Sequence, residues 1–187
     1  MYKRQVWTNS SFYGGPPEDL AAIRHWYDVR RDERPAPGLI RADLIIDPYQ
    51  VVETAALGGD ALVLVAEAVG RTQLEDLIGW ADELALPVLV YVRQSTDVSR
   101  ALKAGAQDFA IGSGDLFDAQ DRSAPTAGLL REMGREMPRA TARLSWGGVR
   151  ELEDHDERAW AGATALVVGR AWKEVKQALR RRDEEGS

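Results

Sequence analysis

The sequence has 187 residues, a formal net charge of −6, no cysteine and two histidines. That length suits one domain with a sizeable core, yet it is short for a complete eight-unit α/β barrel, which typically takes about 200–250 residues. The acidic balance excludes a basic nucleic-acid-binding surface, and the lack of thiols excludes disulfides, cysteine nucleophiles and thiolate metal sites.

In chain order, short apolar runs alternate with amphipathic stretches. Strands are predicted at Gln5–Thr8, Leu39–Ile46, Leu62–Val65, Val88–Val92, Phe109–Ile111, Ala142–Ser145 and Ala165–Val168. Helices are predicted at Pro17–Trp26, Pro48–Leu57, Arg71–Leu84, Asp97–Ala104, Ala124–Met137, Glu151–Ala161 and Lys173–Arg182. Gly58-Gly59 and Gly105 read as helix ends that need positive φ. Ser95 or Thr96 reads as one N-cap, and Thr72 with Arg71 as another. Charge and proline mark Arg30–Pro37 as a long surface loop, with Phe117–Arg122 as a second.

Continuous apolar strands separated by helices predict a parallel sheet with right-handed crossovers, in a single domain over residues 1–187. His25 and His155 lie in polar helical stretches without a partner at ligand spacing, so no metal or other cofactor is expected. The Arg180-Arg181-Arg182 run, followed at once by Asp183, Glu184 and Glu185, reads as a solvated helix end. No stretch approaches the roughly 20 apolar residues of a membrane span, and no signal-type run opens the chain. A soluble cytoplasmic protein without a membrane or nucleic-acid partner is the expectation.

Two architectures suit such alternation. A doubly wound open sheet needs a phosphate-binding glycine loop after its first strand, and Gly14-Gly15-Pro16-Pro17 has neither the spacing nor the amides for one. The alternative is a barrel. The stretch Ile45-Ile46-Asp47-Pro48-Tyr49-Gln50, followed by Glu53-Thr54-Ala55-Ala56-Leu57-Gly58-Gly59-Asp60-Ala61, resembles the indole-3-glycerol phosphate synthase family at its third strand-to-helix turn. Tyr13-Gly14-Gly15 with Glu18-Asp19-Leu20, Ala101–Ala106, Asp115-Leu116, the turn from Ser145 to Gly148, and Val167-Val168-Gly169 agree in order. The resemblance therefore runs from about Val6 to about Trp172 and implies an α/β, TIM-barrel-like fold of parallel β/α units. Val6-Trp7-Thr8 falls on the family's second strand, so the first βα unit of the eight has no counterpart and a seven-stranded, incomplete or rearranged barrel is expected. A homodimer covering the open edge is the simplest compensation.

The same resemblance allows the family's catalytic positions to be read one by one. Its reaction closes an indole ring on a carboxyphenylamino-deoxyribulose phosphate, with loss of carbon dioxide and water. The third-strand lysine, the family's general acid, falls on Ala42 between Arg41 and Asp43, and the fifth-strand glutamate falls on Tyr91. The paired asparagines become Gly112 and Ser113, the arginine after them Gly114, and the seventh-strand Glu-Ser becomes Trp146-Gly147. In the phosphate site Gly147, Gly148 and Gly169 still allow close backbone approach, the usual hydroxyl is Ala171, and Arg170 stands beside it. Loss of one general acid or base costs about 10²–10⁴ in rate, so the ancestral reaction is expected to be gone.

The replacements are aromatic or small. Trp7, Trp146 and Tyr91, with Phe12 and Tyr13 nearby, would suit a flat aromatic ligand or would fill the barrel interior. Candidate catalytic groups are Tyr91, Asp43, Glu67 and Arg93, where burial of Glu67 among aromatics would raise its pKa. Candidate binding groups are Trp7, Arg41, Ser113, Trp146, Gly147, Gly148, Gly169 and Arg170. Three functions fit: an acid–base lyase or cyclase on a small indole- or anthranilate-related molecule in specialised biosynthesis, a non-catalytic binding or partner protein, and a modified synthase.

Overall fold

The computed structural model describes residues 3–11, 15–30, 36–114, 116, 127–147, 152–167 and 172–185. Seven strands alternate with seven helices among them: β1 (Lys3–Trp7), α1 (Glu18–Val29), β2 (Gly38–Ala42), α2 (Pro48–Ala56), β3 (Ala61–Val65), α3 (Arg71–Glu83), β4 (Val88–Val92), α4 (Ser95–Lys103), β5 (Asp108–Ile111), α5 (Ala127–Glu136), β6 (Arg143–Trp146), α6 (Leu152–Trp160), β7 (Ala165–Val167) and α7 (Trp172–Glu185). The strands are parallel and follow chain order in the sheet. This is the expected α/β, TIM-barrel-like fold, with seven βα units where the complete barrel has eight. Among the described residues no helix is long and apolar enough to cross a membrane.

The chain separates into two compact units, one comprising 1–91 with 100–107 and the other 92–99 with 108–187. In the first unit, β1, β2, β3 and β4 pair in register, with Trp7 beside Ala42, Ala42 beside Val63, and Val65 beside Tyr91. Strand side chains alternate between faces. Val6 and Leu39 pack with Leu20, Ile23, Tyr27 and Leu57, which fixes the helix-covered face. Gln5, Trp7, Ile40, Ala42, Val63, Val65, Leu89 and Tyr91 therefore line the opposite face. In the second unit β5, β6 and β7 pair likewise, with Trp146 beside Val167.

Strand β2 stops at Ala42, four residues before the predicted end. The reason is local. Asp43 accepts a hydrogen bond from the Leu44 amide at 2.7 Å, and Gln50 Nε2 donates to the Leu44 carbonyl at 3.0 Å, so the backbone turns away from the ladder. Asp47 then caps α2: its carboxylate accepts from Tyr49 N at 2.8 Å, while Gln50 Oε1 accepts from Asp47 N at 3.1 Å. Pro48 at the first helical position completes a capping box of the usual kind.

Two predicted caps were placed wrongly. Helix α4 already includes Ser95 and Thr96, and the buried Asp97 accepts from the Arg93 amide at 3.2 Å, so the carboxylate three residues in takes the capping role. Helix α3 begins after Gly70, with no side-chain cap from Thr72. The glycine ends are as expected: Gly58 has φ +80° and Gly105 φ +91°. The surface-loop segments 31–35 and 117–122 lie outside the described residues.

Gly59 is a close-approach position. A Cβ there would stand 2.7 Å from Thr54 Cγ2 and 3.0 Å from the Thr54 carbonyl, against backbone that cannot yield cheaply. Gly59→Ala should cost about 1–3 kcal/mol of unfolding free energy in urea denaturation. Gly79→Ala, in the exposed middle of α3 with nothing within 4 Å, should instead gain about 0.5–1 kcal/mol. Equal effects at the two positions would contradict this packing.

Candidate functional site

Ala42 and Tyr91 both lie on the face away from the helices, at the carboxyl ends of β2 and β4, which is where a barrel presents its chemistry. Ala42 is 1% exposed and Tyr91 2%. Trp7 shares this face at the end of β1 and is only partly buried. Of the strand residues on this face in the first unit, Lys3 and Tyr91 carry titratable side chains, and Lys3 is exposed at the amino-terminal start of β1, away from the carboxyl ends; their companions include Gln5, Trp7, Ile40, Ala42, Ala61, Val63, Val65 and Leu89.

Arg41 and Asp43 point the other way. Arg41 Nη2 lies 2.9 Å from Asp43 Oδ2, and Nη1 donates to Glu53 Oε2 at 2.8 Å, to Thr54 Oγ1 at 3.1 Å and to the Gln50 carbonyl at 3.2 Å, all on α2. Its Nε donates to Thr8 Oγ1 at 2.8 Å. Thr8 in turn donates to Asp43 Oδ2 at 2.9 Å, and Asn9 Nδ2 donates to Asp43 Oδ1 at 2.9 Å. The Arg41 side chain is 1% exposed and that of Asp43 5%. Both carboxylate oxygens are thus engaged, and the pair ties β1, β2 and α2 together beneath the helices. That arrangement builds structure.

Glu67 lies in the turn after β3 and is exposed, so the burial that would have recommended it as an acid is not present. In the second unit Arg93 follows β4, partly buried. Gly112 continues the ladder, its amide donating to the Val92 carbonyl at 3.1 Å, and the Ser113 hydroxyl just beyond is buried, with no hydrogen-bond partner among the described residues. Trp146 is 8% exposed at the end of β6, on the face opposite the Ser145 hydroxyl. Gly147 takes φ +85°. Gly148, Gly169 and Arg170 lie outside the described residues.

Sequence reasoning missed Arg158. This residue is 5% exposed on α6, and its Nη1 donates to Ser145 Oγ at 3.0 Å and to the Gly147 carbonyl at 2.9 Å, fixing the turn after β6. Its signal was hidden, because Glu153, Asp154, His155, Asp156 and Glu157 make the stretch read as a solvated face. Among the described residues no group of three or more His, Asp or Glu side chains could hold a metal ion.

The chain matches the family model described as indole-3-glycerol phosphate synthase over residues 4–181. It is similar to the indole-3-glycerol phosphate synthase of Carboxydothermus hydrogenoformans, with 31% identity over 169 residues, covering 89% of this chain and 59% of that protein. The enzyme of the same name from Acidithiobacillus ferrooxidans is 33% identical over 172 residues, covering 92% of this chain and 61% of its own. The chain thus spans about three fifths of the length of the curated relatives it matches. Among solved structures it is similar in fold to an aldolase, QR15, with a TM-score of 0.66, 13% identity and coverage of 96% of this chain and 95% of that one.

Proposed function

The chain belongs to the indole-3-glycerol phosphate synthase family, and from that premise we propose that it has lost the ring-closure chemistry and receives a small aromatic, indole- or anthranilate-related molecule instead. The observation that carries this reading is the composition of the strand face away from the helices. At the positions where the resemblance places the family's lysine and glutamate stand Ala42 and Tyr91, a methyl group and a buried phenol. A flat ligand would stack on Trp7, the aromatic of that face that keeps exposed surface. If the chain acts as a lyase or cyclase without metal or redox cofactor, Tyr91 is the proton-transfer group we assign. Arg41, Asp43 and Glu67 are not assigned that role, because the first two bond each other and the third is exposed. The small-molecule chemistry of the family supports a cytoplasmic location.

The experiment is a fluorescence titration of the chain with indole and with anthranilate. Saturable binding is expected, weakened at least about tenfold by Trp7→Ala, since an aromatic anchor removed from a desolvated contact typically costs that much or more. Equal affinity in the variant, or no saturation at millimolar ligand, contradicts the reading.

The identity of the relatives as indole-3-glycerol phosphate synthases favours a second reading, an ordinary synthase. Turnover of the carboxyphenylamino substrate separates the two.

A further inference from the structure

Exposed apolar side chains are ordinary when scattered and informative when gathered. Trp26 on α1 is accounted for, since the Arg30 guanidinium lies 4.4 Å over its ring and Tyr27 packs edge-on. Helices α2 and α3 are different, because Ile46, Tyr49, Val52, Trp80 and Leu84 are all exposed on them or at their ends. The two helices pack together, and Gln73 Nε2 donates to the Ile46 carbonyl at 2.6 Å, just before α2 begins. That bond fixes which flank of α3 meets α2. Residues 73, 77, 80 and 84 follow one another by four, three and four, so Leu77, Trp80 and Leu84 share the Gln73 flank. Leu77 is its buried floor, whereas Trp80 is 45% exposed. On α2, Gln50, Glu53 and Thr54 form the side that meets Arg41. Val52 lies on the other side, one turn after Tyr49, which is 68% exposed. Apolar side chains thus border both walls of the furrow between α2 and α3.

The rim of the furrow is acidic. Asp76 and Glu83 stand four before and three after Trp80, as its neighbours on the helix surface. Neither has an ion-pair partner among the described residues, while Glu75 on the far flank is matched by Arg71. From Ala42 to Val92 the sequence has nine acidic residues, and Arg71 is the one basic residue. Unlike Trp26, Trp80 has no aromatic or cationic partner among the described residues.

We propose that this furrow receives an amphipathic helix of another protein, apolar along one stripe and carrying lysine or arginine beside it. Helix backbones hydrogen-bond to themselves, so the furrow offers an incoming segment side-chain contacts alone. A helix with apolar residues at i, i+3, i+4 and i+7 meets such a surface best. Its stripe would lie against Val52, Trp80 and Leu84, and its cations against Asp76 and Glu83, with the Trp80 ring open to cation–π contact as well. A second copy fits less well, since two of these faces would bring their carboxylates together, and an anionic membrane surface is repelled for the same reason. The contact lies wholly within the first unit and rests on neither reading of the strand ends.

The test uses a fluorescein-labelled peptide of leucine and lysine, about 18 residues long and patterned as an amphipathic helix. It is titrated with the whole chain in about 0.15 M salt and followed by anisotropy. One-to-one saturation is expected, with none for a peptide of the same composition in scrambled order, which has no apolar stripe. Trp80→Ala should weaken binding at least about tenfold, and D76K/E83K at least about fivefold. The E75K/D82K variant makes the same charge change on the opposite flank of α3 and should alter affinity less than about twofold. A peptide with glutamate in place of lysine should bind D76K/E83K better than the wild type. All these positions are exposed, and unchanged far-ultraviolet circular dichroism verifies folding. Equal binding of the scrambled peptide, indifference to Trp80→Ala, or an equal loss in E75K/D82K and D76K/E83K overturns the proposal. So does self-association in sedimentation velocity that Trp80→Ala abolishes, which would give the face to a second copy, or Trp80-dependent binding to phosphatidylcholine vesicles, which would give it to a lipid surface.

Discussion

Arg41→Met is expected to lower unfolding stability by about 3–5 kcal/mol, a large share of the roughly 5–15 kcal/mol that holds an ordinary domain together. The size follows from what remains. Arg41 is fully buried and holds two carboxylates, Asp43 at 2.9 Å and Glu53 at 2.8 Å, together with Thr8, Thr54 and the Gln50 carbonyl. A methionine fills much of the volume but returns none of the donors. Asp43, whose side chain is 5% exposed, would keep its charge with only Thr8, Asn9 and the Leu44 amide as donors. Burying a charge that has lost its counterion is the costly case.

A control sharpens this. Arg71 and Glu75 form an exposed i,i+4 pair at 2.9 Å on α3, with side chains 52% and 55% exposed. Arg71→Met should cost no more than about 0.5 kcal/mol. Urea denaturation of both variants distinguishes a buried network from a surface pair. A loss below about 1 kcal/mol for Arg41→Met would mean that the network contributes nothing beyond packing.

The same network marks the limit of what the sequence disclosed. Period and apolar runs located all seven strands, because parallel strands covered on one face by helices have little choice of composition. The Asp47-Pro48-Tyr49-Gln50 motif identified the family, and its physical content is a helix cap: the Asp47 and Gln50 side chains are both used to start α2. Direction was harder to read. Arg41 and Asp43 flank Ala42, where the resemblance places the family's lysine, and two-residue alternation put them on a common face. It could not say which face. The deciding partners, Thr8 and Asn9 from 33 to 35 residues before and Glu53 from α2, become neighbours only on folding. Glu67 shows the same gap, since exposure in the turn after β3 depends on how that turn leaves the sheet. Arg158 was hidden by its acidic neighbours, yet one side chain among them turns inward to hold Ser145 and Gly147.

Substitution at Ala42 and Tyr91 has consequences of another kind. Both residues are buried, a setting that suits a methyl group and an aromatic ring. On the proposed reading, chemistry is what they remove: a methyl group donates no proton, and a phenol, which holds its proton far more tightly than a carboxylic acid, replaces a carboxylate poorly. Each lost acid or base costs about 10²–10⁴ in rate, so the two together should put ring closure about 10⁴-fold or more below that of a family member carrying both groups.

That expectation is measured most directly by a single-turnover assay, with enzyme in excess over the carboxyphenylamino-deoxyribulose phosphate and the indole product followed by fluorescence. No product above the uncatalysed background is predicted for this chain, under conditions in which the Acidithiobacillus ferrooxidans relative completes a turnover. Indole formation at a rate within about 10²-fold of that relative would contradict the loss of ring closure, because so small a deficit is what one missing group alone would leave.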